Sequence, residues 1–398
     1  MHSYNMLSFL SNKGDCTGCT ACKAVCPVHC ITMETDDEGF WYPVSSEACV
    51  HCGLCERVCP SNNSDKTANK GNQNAYACLT KDDAVWRRSA SGGAFTEICL
   101  AWGDDKTIVV GAAWDGFDVH HICVEGVNNI SALCKSKYVA SNPENTFSEI
   151  RNYLKNGHKV VFCGVPCQVA GLKSFLSKKY ENLLTIDLIC HGVGSPLVFK
   201  SIIHILEKQF GRKIDEYEFR AKRKLMEVDY LCSIKMGDER RYILGDPYIQ
   251  LFLKQRCLRP SCGINCKYRT HNRQGDLTIA DFKGLTEVFP SLLGTKRNYS
   301  SIITNNSKGE AIMPMLLKRM NVLPCDISNI GKYNPLFERQ TYFAEDRDLF
   351  FEEYKKDKED TITKWTKPAS VLVKSFKGKV FDILPVFMRK MVIQKMKK

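Results

Sequence analysis

Two copies of one cysteine pattern, CTGCTACKAVCP at residues 16–27 and CVHCGLCERVCP at residues 49–60, constrain this chain more than any other feature. Both fit C-x2-C-x2-C-x3-C-P, a ligation run for paired 4Fe–4S clusters. Three thiolates spaced three residues apart in a tight turn can wrap three corners of one cubane. The fourth, on the short helix that follows, faces the other cluster. Cys16, Cys19 and Cys22 are therefore expected to share one cluster with Cys59, and Cys49, Cys52 and Cys55 a second with Cys26. Pro27 and Pro60 end each helix, because proline cannot continue it. A pair of structural zinc sites is the plainer alternative, since C-x2-C pairs also bind zinc. Zinc needs four ligands, and accounts neither for eight thiols nor for the proline repeated in both halves. Cys30 falls outside the pattern and reads as a small apolar filler.

The rest of the composition narrows the setting. The chain has 398 residues, 44% apolar and 25% charged, enough for more than one domain with a buried core. It carries 21 cysteines, and its N-terminus lacks a basic flank followed by a long apolar stretch. Thiols held for metal in the cytoplasm are expected, rather than disulfides. No apolar run approaches the ~18 residues that a membrane span needs. The net charge of +12 is concentrated at one end: residues 361–398 carry ten Lys or Arg against Asp382, leaving the remainder at +3. That distribution excludes a body-wide basic face for nucleic acid.

The chain divides into residues 1–62, a polar Asn-rich linker at 63–75, a large region at 76–336 and a charged, basic tail at 337–398. The class expected is an α+β ferredoxin-like N-terminal domain, then a larger α/β domain, then a helical C-terminal tail. In the large region residues 107–114, 119–124, 159–163, 183–190 and 277–281 read as strands. Thr146 and Glu149 form a capping-box pattern at a helix start. Ser195 and Pro196 suit the N-cap and first position of a helix ending near Gly211. Three unusual segments, 164–168, 190–194 and 281–284, fall just past strand ends, where open α/β sheets bind ligands, so one shared site is expected. Residues 346–360, dense in mixed charge, read as a solvent-facing helix. Residues 370–398 read as a basic amphipathic helix broken at Pro385, for an anionic membrane surface, a partner or the chain's own body.

The segments SASGG (89–93), KSKYVAS (135–141), GVPCQVAGL (164–172), DLICHGVGSP (187–196), FRAKRK (219–224), LRPSCGINCKY (258–268) and GDLTIADFKG (275–284) occur in this order. Together they resemble the beta-subunit family of coenzyme F-420 (deazaflavin) hydrogenases and dehydrogenases, here behind a two-cluster ferredoxin domain. The resemblance spans roughly residues 1–335. It implies FAD beside a third 4Fe–4S cluster in the α/β domain, ligated by Cys167, Cys190, Cys262 and Cys266. The late pair here is spaced C-x3-C where relatives have C-x2-C, which leaves Cys257 as an alternative ligand. Cys163 reads as buried filler, and the isolated Cys78, Cys99, Cys123, Cys134, Cys232 and Cys325 as inert core thiols.

For the flavin, Ser91, Gly92 and Gly93 are expected at the pyrophosphate, because glycines at a helix start let N–H groups approach an anion. Lys137 and Tyr138 are expected near the dinucleotide, with Gln168, Gly192 and Asp281 in the same crevice. His191 is the candidate proton donor, by its ordinary pKa. Arg220, Lys222 and Arg223 suit either an anionic ligand or a solvated basic edge. The leading reading is a flavin-dependent iron–sulfur oxidoreductase. It would exchange electrons with ferredoxin or another redox carrier and act on a small organic substrate, a deazaflavin or a polysaccharide-pathway intermediate among them. The rival is an electron-transfer subunit that has no substrate of its own and serves a partner enzyme.

Overall fold

The computed structural model describes residues 7–62, 64–222, 230–263, 266–338 and 344–372. In the N-terminal region the helices Ala21–Val25 and Leu54–Arg57 carry the third cysteine of each run. A hairpin lies between them, β1 (Ile31–Thr35) paired with β2 (Trp41–Ser45). Downstream, the chain forms β3 (Asn74–Thr80), β4 (Ile108–Asp115), β5 (Asp118–Glu125), β6 (Val160–Cys163) and β7 (Leu183–Leu188). A short antiparallel set follows: β8 (Glu216–Glu218), β9 (Cys232–Met236) and β10 (Glu239–Leu244). The remaining strands are β11 (Leu277–Asp281), β12 (Ser300–Thr304), β13 (Met320–Cys325) and β14 (Ser370–Leu372).

The main sheet runs β13-β3-β12-β11-β7-β6-β4-β5. Its centre, β11-β7-β6-β4, is parallel, with Leu277 opposite Ile186 and Val160 opposite Leu183, and the outer strands pair antiparallel. β6 and β7 are apolar along nearly their whole length because both of their faces are covered. Alternate side chains enter opposite cores. Val160 and Phe162 pack with Phe147, Ile150 and Phe175 of the helices Thr146–Lys155 and Pro166–Leu176. Val161 packs on the other face with Ile98 and Leu316, from the helices Ala94–Trp102 and Met313–Arg319.

A third core joins the two ends of the chain. Phe40, Trp41 and Tyr42 of the N-terminal region share it with Phe199 of the helix Pro196–Phe210, with Phe219 and Tyr248, and with Phe350, Phe351 and Tyr354 of the helix Arg347–Lys356. Each such fully buried aromatic contributes on the order of 1.5–3 kcal/mol. The mixed-charge segment after residue 346 is therefore not a solvent-facing helix. Its apolar face is buried, and its buried Arg347 pairs with Glu38 at 2.5 Å while donating to the Leu258 carbonyl.

The polar linker is likewise tied down. Thr67 donates to Gln274, Asn69 to the Arg273 and Gly275 carbonyls, and Gln73 to Asn305. Asn-rich sequence here supplies side-chain hydrogen bonds to a neighbouring loop. The helix Thr146–Lys155 is capped differently from the expectation, since Asn145 holds the N-cap position and the Thr146 hydroxyl bonds the Pro143 carbonyl. Ser195 caps the helix Pro196–Phe210 as expected, its Oγ accepting from the Val198 N–H, and Gly211 ends it. β14 adds to β10, while the amphipathic pattern beyond it, with Pro385, lies outside the described residues, as does Arg223.

Candidate functional site

The cysteines gather in three groups. In the first, Cys22 has Cys19, Cys16 and Cys59 as neighbours close enough to raise its pKa, and Cys19 has Cys59 and Cys16. In the second, Cys55 faces Cys49 and Cys52, and Cys26 is joined to Cys49 through Cys30. Cys30 is buried in the core as expected, and its sulfur also lies 3.4 Å from that of Cys26, so this thiol abuts the second group as well. In the third, Cys167 has Cys262, Cys190 and Cys266 as neighbours. Cys257 is elsewhere, buried in the aromatic core beside Tyr248 and Arg347, so the C-x3-C spacing is accommodated without it.

Among the described residues no three Cys, His, Asp or Glu side chains converge closely enough to hold a single ion. The donor chemistry fits iron–sulfur clusters. Burial, reinforced by the neighbouring thiols, pushes Cys19 and Cys190 up to about 12 and Cys262 up to about 11. Sulfurs in such surroundings become thiolate ligands when a cationic core supplies the opposing charge.

Local geometry places the third group. Cys167 sits in the first turn of the helix Pro166–Leu176, directly after β6. Cys190 follows β7, and Cys262 ends the short turn Pro260–Cys262, its sulfur accepting from the Val193 N–H at 3.4 Å. The first group abuts the third. A Cβ on Gly171 would lie 2.9 Å from the Cys19 sulfur, and Cys19 is among the thiols near enough to raise the Cys167 pKa. The buried phenol of Tyr268 faces Cys167, Cys19, Cys59 and Cys266, and among the described residues its hydroxyl has no hydrogen-bond partner.

Beyond the third group, at the carboxyl ends of the parallel strands, lies a cavity of about 310 Å³. All three segments expected there contribute to it, and Cys190 belongs to both the thiol group and the cavity wall. Ser91, Gly93, Lys137, Tyr138, Gln168, His191, Gly192, Arg220 and Asp281 line it. Gly92 does not: its N–H donates to Ser300 Oγ, and a Cβ there would meet the Cys78 carbonyl at 2.3 Å. Ser91 donates its hydroxyl to the Tyr299 carbonyl. Gln168 is a cap, its Oε1 accepting from the Val165 N–H and its Nε2 donating to the Ser141 carbonyl.

Arg220 is buried and pairs with Asp281 at 2.7 Å, so it is no solvated edge. Tyr138 lies within 3.3 Å of that guanidinium, its ring packed on Phe252. Lys222 is held on the Trp86 and Ser91 carbonyls. Lys137 donates to the Cys134 carbonyl, and burial lowers its pKa to about 8. His191, the expected proton donor, is partly buried in the cavity wall. Burial, with Arg269 and Lys283 nearby, lowers its pKa to about 4, and its Nε2–H donates to the Phe252 carbonyl.

Sequence reasoning missed His121, which lines the cavity between Ser141 Oγ (2.8 Å) and the Cys163 carbonyl (3.3 Å) and is lowered to about 4 by burial. It also missed Cys134 and Cys163, read as core thiols but present in the wall. For His121 the position in β5, where alternation turns it inward, was an available signal.

Grouped thiols leading to a cavity at a strand-end crevice define an iron–sulfur electron-transfer protein with oxidoreductase character. Residues 15–63 match the family model "4Fe-4S dicluster domain". Residues 157–329 match the model for the C terminus of the "Coenzyme F420 hydrogenase/dehydrogenase, beta subunit". The chain thus carries a region similar to the C terminus of that beta subunit, with a dicluster domain at its front. Relatives include an uncharacterized protein of Methanocaldococcus jannaschii, 23% identical over 361 residues, spanning 78% of this chain and 89% of that one. NADH-quinone oxidoreductase subunit I 2 of Geobacter metallireducens is 33% identical over 55 residues, which is 12% of this chain and 42% of that protein. Among solved structures, a chain of the F420-reducing [NiFe] hydrogenase complex of Methanosarcina barkeri aligns at TM-score 0.43 and 15% identity, covering 75% of this chain and 92% of that one. No helix among the described residues is long and apolar enough to cross a membrane.

Proposed function

We propose that this chain is a flavin-dependent oxidoreductase in which three 4Fe–4S clusters connect an external electron carrier to FAD held in the strand-end cavity. The observation that carries this reading is the continuity of the first and third thiol groups with the cavity, with Cys19 beside Cys167 and Cys190 shared with the cavity wall. A bound flavin would supply the exchange between one-electron and two-electron steps. The cavity volume is within the range of cofactor pockets.

The chain's own residues have separable tasks there. Lys137, cationic at neutral pH, offers charge to an anionic dinucleotide. The Arg220–Asp281 pair and Tyr138 form one polar wall, while His121 and His191 present neutral imidazoles. A ferredoxin or similar carrier would dock at the second group, where Cys52 and Val50 are exposed. The organic substrate would then meet the flavin from the open side of the cavity. Small-substrate chemistry is favoured over a pure adaptor role because the described residues enclose a cavity beside the last thiol group.

The test is iron, sulfide and extracted flavin per chain on anaerobically purified protein. About twelve irons and one flavin are expected, with Cys190→Ala falling to about eight irons. Full iron without flavin after anaerobic reconstitution would refute the flavin assignment. A wild-type count of about eight would refute the third cluster.

A further inference from the structure

Arg259 is fully buried, yet among the described residues no carboxylate pairs with it. Its Nε donates to the Cys16 carbonyl at 2.8 Å and its Nη2 to the Trp41 carbonyl at 2.8 Å, leaving Nη2 also 3.6 Å from the Cys16 sulfur. The guanidinium plane is sandwiched by aromatics, 4.4 Å from the Tyr42 ring centre and 5.5 Å from that of Phe40. On its open side Gly18 approaches so closely that a Cβ would sit 2.9 Å from Nη1. Hydrogen bonds to two carbonyls satisfy donors but do not neutralise a charge, and an uncompensated buried charge is strongly destabilising.

The backbone of the same residue holds the other group. Its carbonyl accepts from the Cys262 N–H at 2.9 Å, and its own N–H donates to the Val193 carbonyl at 3.0 Å. Side chain and main chain of one residue thus reach the first and third thiol groups respectively. Cys16 and Cys262 both lie near enough to this guanidinium to raise its pKa.

We propose that Arg259 is the fixed counter-cation of the first cluster, shared with the third, and that it raises the reduction potential of the first by offsetting the negative charge it gains on reduction. The proposal rests on the cluster reading above. In the step concerned, a 4Fe–4S cluster takes one electron from a reduced carrier and no proton. Its negative charge grows by one, and a permanent cation beside a ligand sulfur stabilises the reduced form more than the oxidised form. Charge and hydrogen bonding at the sulfurs are the means by which proteins set such potentials. Arginine suits the position because it stays charged when buried and its planar fork meets two carbonyls at once.

The experiment is an EPR-monitored redox titration of the anaerobically reconstituted full chain, with iron counted in each sample, for wild type, R259K and R259Q. R259Q should lower the first cluster's midpoint, reducing its reduced-to-oxidised ratio at the wild-type midpoint about tenfold, or 59 mV for a one-electron couple. R259K should recover part of that shift. The second cluster, whose thiols lie outside Arg259's contacts, should stay at its wild-type value. If R259Q loses iron instead, R259K decides: a retained cluster with a smaller shift in the same direction supports the proposal. Unchanged midpoints with full iron would overturn it, as would equal displacement of all clusters or R259K behaving like R259Q, which assigns Arg259 to packing. A wild-type chain without iron would overturn the cluster reading and this inference together.

Discussion

Gly171→Ala opposes two effects whose sign can be worked out beforehand. Gly171 lies inside the helix Pro166–Leu176, where replacing glycine by alanine ordinarily stabilises by about 0.8–1.0 kcal/mol. Here the new methyl would sit 2.9 Å from the Cys19 sulfur, 3.0 Å from its Cβ and 3.4 Å from the Phe147 ring. That is about 0.6 Å short of an ordinary carbon contact. The obstacle is a buried thiol of the first group and cannot swing away without disturbing that group. Overpacking of this kind costs about 1–3 kcal/mol, which outweighs the helical gain by about 1 kcal/mol. The expected result is a lowered thermal midpoint together with loss of iron from the first cluster, and Gly171→Val should be worse on both counts. Thermal unfolding and iron per chain measure the two effects separately. An alanine variant that melts higher than wild type with its full iron would refute the claimed contact between the first group and this helix.

Three further outcomes follow from the geometry. Arg347→Met should cost about 3–5 kcal/mol, because it leaves Glu38 largely buried without its partner, and the double variant with Glu38→Gln should recover part of that in denaturant unfolding. Cys30→Ala should keep the iron count but lower the second cluster's midpoint in a redox titration, since the thiol, pushed up to about 11 chiefly by its hydrogen bond with Cys26, stays protonated and can donate to that sulfur. Lys137 is lowered from 10.5 to about 8, so its charge is present below that pH and lost above it. FAD affinity measured by fluorescence titration should therefore weaken from pH 7 to 9, and Lys137→Met should abolish that slope. Folding linkage has the opposite sign, because between about 8 and 10.5 the unfolded chain binds the extra proton and stability rises with pH.

The sequence was most informative where spacing is itself the constraint. The repeated cysteine runs placed their thiols in the expected groups, and the Ser195–Pro196 start and the buried β6 and β7 were visible from caps and apolar runs. The strand-end rule located the cavity because all three segments follow parallel strands. What escaped were features created by packing between distant segments. Nothing local distinguishes Arg259 from a surface arginine, since its burial comes from Cys16 and Trp41, more than two hundred residues away. Arg347 and Phe350 sit in a run whose charges mask an apolar face. Gln168 and Gly92 have the composition of ligand-binding residues, but their polar groups are used within the fold.

The Glu38–Arg347 clamp also sets a schedule for biosynthesis. Glu38 leaves the ribosome roughly three hundred residues before its partner, an interval of about 15–60 s at ordinary elongation rates. Early in that interval, before the helix Pro166–Leu176 is made, the N-terminal cysteines have no body to dock against, and until its end the surfaces that the helix Arg347–Lys356 covers are open to solvent. Cluster assembly factors would therefore reach the first two groups most easily on the nascent chain. Closure would come only when the helix Arg347–Lys356 emerges.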